Sequence, residues 1–262
     1  VSDRAESGRD AFARGAWTEA FAQLSAVDRL DQDDLERLAV AAFLVGERGA
    51  CELAWEQAYR RAASRGDPDR AARCAFWLGL DLMLRGEEAR ASGWLARAER
   101  AASDAPAGAA FGLLLLPQFL AALGGEPGVA FDIAAQMTAR GRSTSDDDLS
   151  AFGLLCQGEA LIAVGRAAEG MRLLDEVMVA VTAGEVSPIP SGIIYCAVID
   201  ACMHARDLRR AAAWTEALTA WCGSDPSIVP YRGQCLVHRS QVLMARGDWE
   251  GASAEADRAR EH

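Results

Sequence analysis

Lysine is absent from this chain, and all 27 basic residues are arginine. Without lysine, the chain cannot supply the amine of a phosphate-binding loop, of a Schiff base or of a Ser–Lys dyad. Asparagine is also absent and alanine is abundant, which we attribute to GC-rich codon usage and not to function. Composition alone therefore excludes several common catalytic arrangements.

Metal-binding and redox-active side chains are also scarce. There are three histidines, and no two of the seven cysteines are spaced as C-x-x-C. An odd number of cysteines is a poor basis for a set of disulfides, so we expect small buried thiols in helices. The sequence contains no G-x-S-x-G motif and no phosphate-binding loop. We therefore predict no metal site, no cofactor and no enzymatic activity.

Net positive charge and long apolar runs are lacking too. The formal net charge of −11 repels a phosphate backbone, so we expect no direct binding to nucleic acid. The longest apolar run, FGLLLLPQFLAAL at 111–123, is too short to span a bilayer and contains Pro117. No basic start followed by an apolar segment suggests export. The sequence predicts a cytoplasmic protein without membrane contact.

A helical repeat runs through the whole chain of 262 residues. A turn residue, usually glycine, is followed five residues later by a small residue, at steps of between 34 and 41 residues. The pairs are Gly15/Ala20, Gly49/Ala54, Gly86/Ala91, Gly125/Ala130, Gly165/Gly170, Arg206/Ala211 and Gly247/Ala252. The glycine suits the left-handed backbone of a tight helix–helix turn, and the small residue lets the second helix approach the first.

The repeat predicts an all-α fold in a single domain over 1–262, with about seven helix-turn-helix units in a right-handed superhelical array. The predicted units lie near 1–33, 34–67, 68–105, 106–145, 146–186, 187–225 and 226–262. Gly8, Gly79 and Gly158 share one offset from their turns, so we expect close helix packing at all three. Acidic runs such as STSDDD before Leu149 predict helix N-caps.

This pattern resembles tetratricopeptide repeats (TPRs). The resemblance is carried by Leu78–Gly79, by the G-x-x-x-x-A turns and by the nearby aromatic residues Trp17 and Trp249. It implies an α-solenoid in which each unit buries its surplus apolar surface against its neighbours.

Several longer segments are similar to the helical-repeat region of actinobacterial LuxR-type transcriptional regulators. They are LERLAVAAFLVG (35–46), ARCAFWLGLDLMLRGEEARASGWLARAER (72–100), LLDEVMVAVTAGEVSPIPSGIIYCAVIDAC (173–202) and PYRGQCLVHRSQVL (230–243). In that family the repeats act as a sensor or oligomerisation arm, and a C-terminal helix-turn-helix reads DNA. No such reading helix follows here, so we expect either the sensor part of a longer polypeptide or a free-standing relative of it. The alternatives are a TPR adaptor for proteins and a protein that sequesters a hydrophobic small molecule.

We expect a small-molecule effector or a protein segment to bind in the concave groove formed by the first helices of the units. Helical spacing assigns the following residues to that groove: Arg73, Phe76, Met83, Phe119, Phe152, Glu159, Asp200, His204, Gln241 and Met244. Such a channel of phenylalanine and methionine with a few polar anchors suits a hydrophobic ligand or an amphipathic peptide. The alternative is that these residues are ordinary core.

Two proline-containing segments, 183–192 and 222–233, are predicted to be long loops, acting either as covers for the groove or as spacers. Arg232 in the second loop is the charged residue that we expect to point at a partner. His204 could pair with Asp200 or only contact the end of its helix. His238 is expected to be a buried, hydrogen-bonded histidine. The terminal repeats predict self-association into a homodimer.

Overall fold

The computed structural model describes residues 2–224 and 228–261, and within these ranges the secondary structure is helical with no strand. The predicted all-α class is confirmed. The fifteen helices of the described ranges are α1 (Ser2–Ala13), α2 (Trp17–Ser25), α3 (Gln32–Leu44), α4 (Arg48–Ser64), α5 (Pro68–Leu84), α6 (Glu88–Ser103), α7 (Ala109–Leu113), α8 (Leu116–Leu123), α9 (Pro127–Thr144), α10 (Asp147–Ala163), α11 (Ala167–Thr182), α12 (Pro188–His204), α13 (Leu208–Ser224), α14 (Val229–Ala245) and α15 (Trp249–Arg260).

Helices that follow one another along the chain pack against one another, as in α1 with α2, α5 with α6 and α14 with α15. Each predicted unit contains one helical pair, and in the fourth unit the first helix is divided into α7 and α8. The division falls at residues 114–115, because Pro117 has no N–H to donate to the carbonyl of Leu113 and its ring would clash with that carbonyl in a continuous helix. Neighbour packing of this kind is typical of an α-solenoid.

The turns within the pairs agree with the prediction at most positions and differ at two. Gly15, Gly86, Gly165, Arg206 and Gly247 all have the predicted left-handed backbone. In the second unit, however, that conformation belongs to Gly46 and not to Gly49. Gly49 lies inside α4 with no atom close to its α-carbon face, and Cys51 is the small buried residue five positions after the true turn. Gly125, in the fourth turn, does not have positive φ.

One glycine–leucine contact recurs in three of the pairs. A β-carbon added to Gly8 would lie 2.7 Å from Cγ of Leu24, and one added to Gly79 would lie 2.9 Å from Cγ of Leu95. At Gly158 the same addition would come within 2.6 Å of Leu174 Cδ2. In each pair the leucine follows the glycine by 16 residues. The close packing predicted at these three glycines is therefore confirmed.

The expected helix caps are present, but the expected proline loops are shorter than predicted, because α12 begins at Pro188 and α14 begins at Val229; residues 225–227 of the second segment lie outside the described residues. Asp146 Oδ1 accepts a hydrogen bond from the backbone N–H of Leu149 at 2.8 Å, and α3 and α5 begin in the same way. Pro188 and Pro190 lie in the first turn of α12, and Pro230 lies in the first turn of α14. Proline suits this position because the first N–H groups of a helix have no partner within the helix.

The described chain forms two compact units. The first contains Val1–Gln118 and Ala139–Leu149, and the second contains Phe119–Thr138 and Ser150–His262. In the described ranges no helix has both the length and the apolar character needed to cross a membrane.

Candidate ligand-binding face

The three phenylalanines predicted to line the groove are core residues. Phe76, Phe119 and Phe152 are at most 2% exposed. Their helices bury them against neighbouring elements, so they offer no surface to a ligand. The alternative interpretation, ordinary core, applies to these three positions.

Arg73 forms an ion pair within the first of the two compact units. Its guanidinium donates to the carboxylate of Asp146, which also caps α10. Arg73 and the first turn of α10 therefore share one carboxylate. The methionines differ: Met83 and Met244, near the C-terminal ends of α5 and α14, are about half exposed.

Polar residues on α10, α12 and α14 form a polar face in the second of the two compact units. Glu159 is on α10, Asp200 is on α12, and Gln234, His238 and Gln241 are on α14. The three α14 residues are separated by four and three positions, so they share one side of their helix. Three of these five residues, Glu159, Asp200 and Gln241, were predicted from the sequence.

His238 is the centre of this face, and it is fully buried. Its Nδ1 lies 3.2 Å from Oε1 of Gln241, and its Nε2 lies 3.4 Å from Nε2 of Gln234. Since the Gln241 oxygen can only accept and the Gln234 nitrogen can only donate, the pattern fits the tautomer with its proton on Nδ1. Asp200 Oδ1 lies 3.7 Å from the same Nδ1. The expectation of a buried, hydrogen-bonded histidine is confirmed.

Glu159 has the most perturbed carboxyl group of this face. Burial, together with the negative charge of Asp200, raises the pKa of Glu159 to about 7. Burial penalises the ionised form, and a nearby like charge adds to that penalty. Among the described residues, neither carboxylate forms an ion pair with an arginine within 4.0 Å. The face is therefore deficient in positive charge, and a bound cationic group would favour the ionised form of Glu159.

His204 lies on the same helix as Asp200 but contacts its backbone. The ring Nδ1 is 2.8 Å from the carbonyl oxygen of Asp200, four residues earlier. The ring is exposed at the C-terminal end of α12, where its N–H can satisfy a terminal carbonyl. Of the two expectations for His204, contact with the helix end is confirmed.

Arg232 lies on α14 and not in a loop, because that helix begins at Val229. It lines a surface cavity of about 520 Å³ together with Cys222, Arg239 and Arg258. The sequence interpretation singled out Arg232 but missed Arg239 and Arg246. The signal was present, since these three arginines are spaced by seven residues along α14.

Six of the seven cysteines are buried and Cys196 is intermediate, so the expectation of buried thiols is largely confirmed. Burial raises the pKa of Cys196, Cys202 and Cys222 to about 12. These thiols are therefore protonated at neutral pH and are poor nucleophiles. In the part of the chain that the structure describes, no group of histidine, cysteine and acidic residues could hold a metal ion.

No protein-family model matches the chain, and no curated protein matches its sequence.

Proposed function

We propose that this chain is a non-enzymatic, cytoplasmic sensor module with TPR-like repeats, of the kind found in LuxR-type transcriptional regulators. Sequential helical pairs and the repeated glycine–leucine contact in three of them support the repeat assignment. The longer similar segments support the regulator assignment. Binding to DNA would belong to another part of such a regulator and not to this acidic chain.

We infer that the sensing surface is the polar face of α10, α12 and α14. The observation that carries this inference is the pair Glu159 and Asp200. The charge of Asp200 adds to the raised pKa of Glu159, Asp200 lies 3.7 Å from His238, and among the described residues neither carboxylate has an arginine within 4.0 Å. A positively charged group on an effector would relieve their repulsion. We therefore propose an effector that carries an amine or another cationic group.

Native mass spectrometry of the purified chain, before and after organic extraction, tests this function. We expect a co-purifying small molecule, or a bound amine from a metabolite panel, that raises the melting temperature. Glu159→Gln should weaken its binding, because the substitution removes the charge and keeps the shape. Glu176→Gln, which removes the charge of an exposed glutamate on α11, is the matched control and should leave binding unchanged. A chain that stays empty, with no thermal shift across the panel, contradicts the effector proposal.

The pH dependence of binding gives a second test. A cation stabilises ionised Glu159, so its affinity should rise as pH increases through about 7. Calorimetric titrations at pH 6 and pH 8 measure the change. In the Glu159→Gln variant the dependence should disappear, and a wild-type affinity that is equal at both pH values contradicts the assignment of Glu159.

A second candidate function is recognition of a protein segment, as an adaptor. Large apolar side chains are exposed at the C-terminal ends of several first helices, including Met83, Leu84 and Met244. Exposed methionine is common on surfaces that bind peptides. Replacement of Met83 and Leu84 by serine should then reduce capture of a protein partner without changing binding of small amines.

A further inference from the structure

Helix α14 has a second face of interest, which carries arginines and apolar residues and is different from the face of His238. Arg232, Arg239 and Arg246 follow one another at intervals of seven residues, about two helical turns. Between them lie two mainly apolar pairs, Cys235 with Leu236 and Val242 with Leu243. Positive charge and apolar surface thus alternate along one side of the helix.

This face is the floor of an open cleft in the second unit. Helix α13 forms one wall with Ala212, Thr215, Glu216, Thr219 and Ala220, which lie on one side of that helix. Helix α15 contributes Arg258 and Glu261 near its C-terminal end.

Two adjoining cavities of about 440 Å³ and 520 Å³ make up the cleft, and they share Thr219 and Arg239. Each has the volume of a small-molecule site. In the cavity of about 440 Å³ most of the lining surface is apolar, and Ala212 of α13 with Val242 and Leu243 of α14 contribute to it.

A buried carboxylate holds the central arginine in place. Arg239 Nη2 lies 2.7 Å from Oε1 of Glu255, and Arg258 Nη1 lies 3.2 Å from the same oxygen. Glu255 is only 5% exposed. Two guanidinium groups therefore share one carboxylate, which leaves positive charge at the cleft and fixes the direction of Arg239.

The charge of the lining is the reverse of the charge of the whole chain. Four arginines and the carboxylates Glu216 and Glu261 line the two cavities, and Glu255, which pairs with two of these arginines, brings the local formal charge to +1, whereas the chain carries a net charge of −11. An anion is repelled by most of this protein and attracted at this cleft.

We propose that the cleft between α13, α14 and α15 binds a small amphipathic anion, with an apolar body along Val242 and Leu243 and an anionic head at the arginines. The aliphatic lining receives the body, and Arg239 supplies a preorganised donor for the head. This site is separate from the Glu159 face, whose α14 residues lie on another side of the helix. The proposal does not depend on the cationic effector.

Isothermal titration calorimetry of the full chain tests the proposal with octanoate as the probe. The neutral and cationic analogues with the same chain length, 1-octanol and octylammonium, are the comparison ligands. We expect octanoate to bind at least tenfold more tightly than either analogue, and its affinity to fall with added salt. Equal affinity for the three ligands, or no octanoate binding, overturns the proposal.

Substitution at Ala220 locates the site. Ala220 is exposed in the lining of the cleft, so a longer side chain fits there without disturbing the core. Ala220→Glu adds a negative charge, and Ala220→Gln adds nearly the same bulk without charge. Octanoate should bind Ala220→Glu about fivefold to tenfold more weakly than Ala220→Gln. Equal affinities in the two variants contradict a site at this cleft.

Arg246→Gln is the complementary change, with Arg172→Gln on α11 as its matched control. Arg246 is exposed, so both variants should keep the circular dichroism spectrum of the unaltered chain. Only Arg246→Gln should weaken octanoate binding, by about threefold to fivefold for one partly exposed charge. A loss of the same size in both variants attributes the effect to net charge and not to the cleft.

Discussion

At the scale of single residues, the environment of Glu159 links folding to proton uptake. Burial of its carboxyl group and the nearby charge of Asp200 raise its pKa to about 7. The native state therefore holds a proton that the unfolded chain releases at lower pH. Because of this linkage, the pH dependence of stability reports on the environment of Glu159.

The sign of the pH effect on stability follows from this shift. Because the pKa is raised from 4.5 to about 7, stability falls as pH increases through this interval, where the native state binds more protons. Glu159→Gln should raise the free energy of unfolding at pH 8 by about 1–3 kcal/mol and change it little below pH 4.5. Urea unfolding at both pH values measures the difference. A variant that is equally stabilised at both values indicates a packing effect and contradicts the electrostatic explanation.

Gly153 gives a second prediction at the residue scale. A β-carbon there would lie 2.5 Å from the backbone nitrogen of Thr138, an atom that cannot move independently of α9. Gly153→Ala should therefore destabilise the fold by about 2–3 kcal/mol through overpacking.

Gly93 provides the matched control for this prediction. It is helical and exposed, and an added β-carbon would meet nothing within 4 Å. Gly93→Ala should stabilise the chain by about 0.5–1 kcal/mol through helix propensity alone. Chemical denaturation measures both variants, and a destabilisation of similar size in the two would show that contact with Thr138 is not the cause.

At the scale of elements, the turn between α12 and α13 has a left-handed residue that is not glycine. Arg206 has φ of 59°, whereas glycine occupies the corresponding left-handed position at Gly15, Gly86, Gly165 and Gly247. A side chain in this conformation places its β-carbon close to a carbonyl oxygen. The turn is formed because the helices on both sides of it require it.

Arg206→Gly should therefore stabilise the protein by roughly 0.5–1 kcal/mol, after the greater flexibility of glycine in the unfolded chain is included. The reciprocal change, Gly165→Ala, should destabilise it by about 1 kcal/mol. Thermal unfolding of both variants tests the pair. A decrease in stability for Arg206→Gly would show that the contacts of the arginine side chain stabilise the protein by more than the left-handed backbone destabilises it.

At the scale of the whole molecule, the exposed aromatic surface at the start of α15 is where we expect self-association. Trp249 begins the last helix and is 68% exposed. We expect a concentration-dependent dimer in sedimentation velocity, and Trp249→Ser should shift it towards the monomer. A strict monomer over a wide concentration range removes this prediction.

The repeat was predictable because its signals are local. The glycine turns, the caps and the glycine–leucine contacts depend on residues within one helical pair, and a single sequence displays them. The second turn was misassigned because Gly46 and Gly49 are only three residues apart, and only the backbone distinguishes them.

The ligand face was only partly predictable. Helical spacing placed Phe152 and Glu159 on the same predicted face, but it could not decide how much of that face other helices cover. Phe152 became core, whereas Glu159 became part of a polar face. The cleft along α14 was missed because its walls depend on how the consecutive helices α13, α14 and α15 are rotated relative to one another, which helical spacing does not specify.

The sequence by itself determined the helical class, the seven helical pairs and the acidic charge, because these depend on composition and on interactions over a few turns. Only the tertiary structure decided which side chains are buried, that His238 joins Gln234 and Gln241 beside Asp200, and that Arg239 and Arg258 share Glu255. The physical reason is that burial and electrostatic environment are set by neighbours from other helices, whose relative rotation no local pattern specifies.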